Sequence, residues 1–185
     1  MKKFIILTIA MISLFMYSEK SRAGLLLEPY AGIHFNSKVG IKSTNDSESV
    51  SGSAVGGRLG FQNLGLMLGL DAKMGTYKIS NQSTNDELKY KEYGFFIGYD
   101  FPILLRVWGE YIFSGTGELN DSKGEYSKIS GTKLGIGYKI IPFVSLNLEI
   151  GNTTYKDYEF DAGGKSTNQV DFNTYLLSLS IPITL

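Results

Sequence analysis

Residues 64–75 read LGLMLGLDAKMG, a greasy run into which Asp71 and Lys73 bring opposite charges two positions apart. Successive side chains of a strand point to opposite faces. Leu64, Leu66, Leu68, Leu70, Ala72 and Met74 therefore share one apolar face, and Gly65, Met67, Gly69, Asp71, Lys73 and Gly75 share the other. The charges belong to a second pattern threaded through the same strand. Which face meets which medium decides the fold.

The same alternation recurs before and after this stretch, and no segment after Gly24 sustains a 3.6-residue period. Strands are predicted over 25–36, 51–61, 64–75, 92–101, 105–114, 133–140, 144–151 and 174–185. They run 8–12 residues, about the length that crosses a bilayer at a tilt. Tight turns are expected across Gln62-Asn63 and around Pro102 and Pro142. Long polar loops are expected over 37–50, 80–91, 115–128 and 156–169. Short turns at one end and long loops at the other are the asymmetry of a membrane barrel.

Two barrels fit eight such strands. A soluble one turns its apolar face inward around a ligand, and a membrane one turns it outward to lipid. The apolar face here is nearly free of charge, while the other mixes many glycines with charged residues. Glycine weakens a water-exposed strand, but a narrow lumen filled by side chains needs small residues. Aromatics gather towards the strand ends. Tyr99, Phe101 and Phe143 lie beside the short turns, and Phe35, Tyr77, Tyr93, Phe113, Tyr155 and Tyr175 lie towards the loops. Two interfacial girdles are expected from them.

Of 185 residues, the first 23 read as a cleaved secretory signal: Lys2-Lys3, a short apolar run, then Ser21-Arg22-Ala23. Residues 24–185 form the barrel domain. Formal net charge is zero and cysteine is absent. That excludes a basic nucleic-acid surface, disulfides and thiolate chemistry.

The motifs LEPYAGIHF, AVGGRLGF, YGFFIGYDF and GIGYKI stand in order along the mature chain. With them the sequence resembles the small eight-stranded bacterial outer-membrane barrels of the outer-membrane protein A and X type. The resemblance implies an all-β, antiparallel, up-and-down transmembrane β-barrel in the outer membrane of a Gram-negative bacterium. It implies insertion by the barrel-assembly machinery, contact with outer-membrane lipids and lipopolysaccharide, and a monomer. The family ends in an aromatic residue, whereas this chain ends SIPITL.

Arg58, Asp71, Lys73, Arg106, Glu110, Lys133 and Glu149 fall on the inward face. Isolated charges there are costly, so a paired network plugging the lumen is expected. A gated polar path is the alternative. His34, the single histidine, lies near Ser37 at the loop end of the first strand. No local carboxylate orients it, so it is read as a rim residue rather than a catalytic base. DAGGKST, residues 161–167, ends like a phosphate-binding loop but lacks its first glycine and a following helix. It is read as a loop tip. No catalytic, cofactor or metal site is expected. The expected role is structural, envelope-stabilising or surface-interacting. A narrow porin-like channel for small hydrophobic or ionic solutes and a lipid A-modifying enzyme are the alternatives.

Overall fold

The computed structural model describes residues 23–41, 47–80, 85–119, 124–160, 164–166 and 169–185. The expected signal segment lies outside them but for its last residue. Seven long strands follow one another: β1 (Gly24–Ile41), β2 (Ser47–Asn63), β3 (Leu66–Ser80), β4 (Asn85–Asp100), β5 (Leu105–Leu119), β6 (Gly124–Ile141) and β7 (Val144–Phe160). A short arm, β8 (Gly164–Ser166), folds back on the end of β7. The eighth wall strand, β9 (Val170–Ser180), pairs with both β7 and β1 and closes the ring. Past Pro182, β10 (Ile183–Thr184) continues the pairing with β1. Closure supplies every wall strand with two neighbours, as a medium without water demands. The fold is an eight-stranded antiparallel transmembrane barrel.

Its outer wall carries a band of exposed apolar side chains, among them Leu27, Ile33, Leu59, Leu70, Phe95, Ile136, Ile150 and Leu179. Phe35, Tyr93, Phe113 and Phe143 also face out. Tyr77 and Tyr155 do not join them; both are buried in the lumen. Their parity is that of Lys73 and Glu149 on the same strands, so alternation sends them inward.

The strands are longer than expected. β1 to β7 run 15–18 residues, where about 9–11 suffice to cross a bilayer. Most of the expected long loops are therefore the outer arms of strands. Gly164, Lys165 and Ser166 of the expected loop tip lie in β8, and residues 161–163 lie outside the described ones. In these outer arms the two faces exchange character. On β3, Leu70 and Met74 face out and Asp71 and Lys73 face in, but further up Lys78 faces out and Tyr77 is buried. On β4, Lys89 and Lys91 face out while Leu88 and Tyr90 are buried. Above the lipid the outside of the wall meets water, so the burial rule reverts to that of a soluble barrel.

The first tight turn is displaced by two residues from its expected place. Gln62 and Asn63 stay in β2, and the chain reverses at Leu64-Gly65. Both turn residues have positive φ, 51° and 85°, as a two-residue hairpin of the primed type requires. Glycine meets that requirement freely, and Gly65 fixes the register that sets Arg58 beside Asp71.

Candidate functional site: the filled lumen

Arg58 on β2 is the hub of the lower lumen. Its Nε donates to Asp71 Oδ2 at 2.9 Å, Nη1 reaches Glu28 Oε1 at 3.4 Å, and Nη2 donates to Glu149 Oε1. Asp71 accepts a second bond from the Tyr30 hydroxyl at 2.7 Å. Lys73 Nζ reaches across to Glu149 Oε2 at 2.8 Å. Asp71 and Lys73 thus pair with other strands and not with each other. Arg106 forks onto both oxygens of Glu28 at 2.8 and 2.9 Å, the planar geometry that guanidinium offers a carboxylate. Lys133 Nζ donates to Glu92 Oε2 at 2.5 Å and stands 3.7 Å from Glu110 Oε1. The guanidinium of Arg58 also lies over the Trp108 ring, 4.3 Å from its centroid.

All seven residues picked from the sequence are buried here, together with Glu28 and Glu92. Those two were missed, although their parity placed them on the inward face. Parity was the signal that named both, and charge balance called for one acid more. The seven hold four bases and three acids, and an ion-filled cavity of low dielectric needs its charges nearly matched. With Glu28 and Glu92 the set has five acids and four bases. Nearer the short turns, Asp100 accepts from Lys139 Nζ at 2.5 Å and from Gln62 at 3.2 Å.

Large inward side chains sit over glycines on the facing strand. Trp108 lies opposite Gly135, Arg106 opposite Gly137, and Lys133 opposite Gly151. A Cβ on Gly135 would run into the Trp108 indole, whereas one on outward Gly109 would meet nothing closer than Leu134 at 3.7 Å. Gly135→Ala is accordingly expected to destabilise the barrel by about 1–3 kcal/mol. Gly109→Ala is expected to be neutral or slightly stabilising. Urea titration of the refolded variants in detergent checks the contrast.

Above the charges the lumen changes character. Tyr77 stacks on Tyr90 at 4.4 Å and on Phe172 at 4.9 Å, and Phe172 meets Tyr155 at 5.0 Å. Val39, Val50, Leu88, Ile112, Ile129 and Leu176 complete one apolar cluster with them. His34 belongs to this plug rather than to the rim. It is buried, its Nε2 lies 2.7 Å from the Tyr90 hydroxyl, and its ring packs on Tyr77 at 4.7 Å. Ser37 is also buried but is engaged with the backbone. Its hydroxyl donates to the Phe35 carbonyl and accepts from the Tyr175 amide. The sequence pointed to a charged lumen alone, and the aromatic level above it was not foreseen. Among the described residues no group of three or more metal-ligating side chains is present.

No protein-family model matches the sequence, and no curated protein matches it significantly. Solved structures do. Neisserial surface protein A aligns over 85% of this chain and 96% of its own, with TM-score 0.55 and 13% identity. The attachment invasion locus protein Ail of Yersinia pestis aligns over 86% of this chain and 99% of its own, with TM-score 0.53 and 12% identity. At such identities the likeness concerns the fold, and the chain carries the fold of the small eight-stranded outer-membrane barrels.

Proposed function

We propose that this protein is a closed barrel of the Gram-negative outer membrane with a structural, envelope-stabilising or surface-interaction role. In this reading it is exported with a cleaved signal and inserted by the barrel-assembly machinery. It then works as a monomer among outer-membrane lipids and lipopolysaccharide. One observation carries the reading: the lumen is filled at two successive levels, by paired charges below and by stacked aromatics above. A solute would have to part both. The outer arms of the strands continue the wall beyond the apolar band, which suits a stiff stalk holding the loops above the lipid.

The enzymatic alternative gains nothing from the geometry. His34 faces the lumen with Tyr90 as its partner, and Ser37 is engaged with the backbone. A hydrolytic dyad needs base and nucleophile in mutual reach.

Single-channel recording tests the closed lumen. The refolded wild-type barrel is expected to give no stable conductance step in a planar bilayer and no solute uptake into liposomes. Large, stable steps would overturn the reading.

A further inference from the structure

The outer wall carries a groove of about 300 Å³ across β2, β3 and β4. It exists because short side chains, Ser53 and Thr76, lie between long ones, Met74, Lys89 and Lys91. Its lower lining, Val55 and Met74, belongs to the apolar band and is exposed. Its basic lining begins beside Met74 with Lys91 and continues further up β4 with Lys89. Lys89 and Lys91 share the outward face of β4, two residues apart and both exposed.

Position makes Lys91 the more telling of the two. It is paired in register with Met74 on one side and Thr116 on the other, and Tyr93 follows it on the same face. An ammonium so close to the apolar band is costly unless it lifts to the headgroups and finds an anion there. No acid stands opposite it in the sheet. Lys89 faces Thr76 and Glu118, and Lys78 faces Glu87, so the acids paired with this face among the described residues stand above the groove or to its side.

From this arrangement we infer that the β2–β4 groove is a lipid site on the outer leaflet. It takes an acyl chain along Val55 and Met74 and holds the lipid's phosphate on Lys91 and Lys89. The occupant is a phosphorylated glycolipid of the lipid A type. Its phosphate lies at headgroup depth above several acyl chains, matching the order of charge over apolar surface in the groove. Ser53 and Thr76 supply hydroxyls to the sugar. The inference rests on the outer-membrane reading above and deepens it by naming the wall segment and the lipid chemistry.

Native mass spectrometry of the refolded barrel, released from liposomes doped with phosphorylated lipid A, tests it. Wild type is expected to retain a lipid A adduct. Lys89→Gln with Lys91→Gln should weaken retention roughly thirtyfold, about fivefold for each lysine near a lipid surface. Lys38→Gln, on β1 outside the groove, should retain the adduct like wild type. Dephosphorylated lipid A should bind wild type as poorly as phosphorylated lipid A binds the double variant. Equal retention by wild type and the double variant, or indifference to the phosphate, would overturn the site. Equal retention of phosphatidylglycerol would overturn the choice of glycolipid. The heat-dependent gel shift of each sample separates the two levels of the claim. If wild type shows no folded, membrane-inserted form, the membrane reading fails. If it inserts without lipid preference, only the groove assignment fails.

Discussion

Replacing Arg58 by methionine is expected to lower the unfolding free energy of the refolded barrel by about 3–5 kcal/mol. The fluorescence of Trp108, the chain's one tryptophan, reports the transition. Arg58 contacts Asp71, Glu28 and Glu149 at once. Its loss takes one of four bases from five acids and uncovers the Trp108 face beneath it. Each carboxylate keeps one partner: Tyr30 for Asp71, Arg106 for Glu28 and Lys73 for Glu149. The penalty is thus the cost of surplus buried negative charge, not of three orphaned groups. Adding Asp71→Asn to the variant should recover part of the loss, since the other partner of Asp71 is the neutral Tyr30 hydroxyl, with a coupling of about 0.5–3 kcal/mol expected for residues in direct contact. Glu110→Gln is the internal contrast. Glu110 stands 3.7 Å from Lys133, and its Oε2 has no hydrogen-bond partner among the described residues. Its neutralisation should cost little. An Arg58→Met barrel within about 0.5 kcal/mol of wild type, the range of an ordinary surface change, would show that the network is not a buried ionic unit.

The wall was legible where one rule held throughout a strand. Leu66, Leu68, Leu70, Ala72 and Met74 face lipid and Met67, Asp71 and Lys73 face the lumen, as period two alone requires. The rule became ambiguous at the upper edge of the apolar band, because what is polar changes sides there while the period does not. In Thr76-Tyr77-Lys78-Ile79 the alternation continues, but the tyrosine reads as a girdle residue unless its parity is counted from Lys73. Bulges hid more. Beyond His34 the register shifts at Asn36, whose φ is 46°, so Val39 turns inward although Tyr30 and His34 set the opposite parity. At Phe113 an extra residue on β5 does the same for Gly115 and Gly117. A bulge inserts one residue and reverses every side chain beyond it. The alternation of β1 and β5 therefore seemed to stop where it had only changed phase. The candidate site followed the same logic. Its lower level was readable from charges at fixed parity, and its aromatic upper level lay in segments assigned to loops.

Truncating Tyr77 to alanine tests whether that upper level is a separate seal. Tyr77 is sandwiched between Tyr90 and Phe172 and touches the His34 ring, so its removal opens a void at the centre of the plug. A loss of about 3–5 kcal/mol is expected for a buried aromatic, unevenly spread over the wall. Amides in the outer arms of β2, β3 and β4 should exchange faster, because their inward residues Val50, Ile79 and Leu88 pack in the same cluster. Amides level with Arg58 and Asp71 should hold better, since the ion pairs there stay intact and the two levels are joined only through the hydroxyls of Tyr30, on Asp71, and Tyr155, on Glu92, among the described residues. Conductance should stay at baseline for the same reason: the charged level still fills the lumen below the void. Uniform acceleration of exchange along the strands would mean that the two fillings form one cooperative unit. A stable conductance from Tyr77→Ala alone would mean that the aromatic plug is the only barrier and that water already threads the charges.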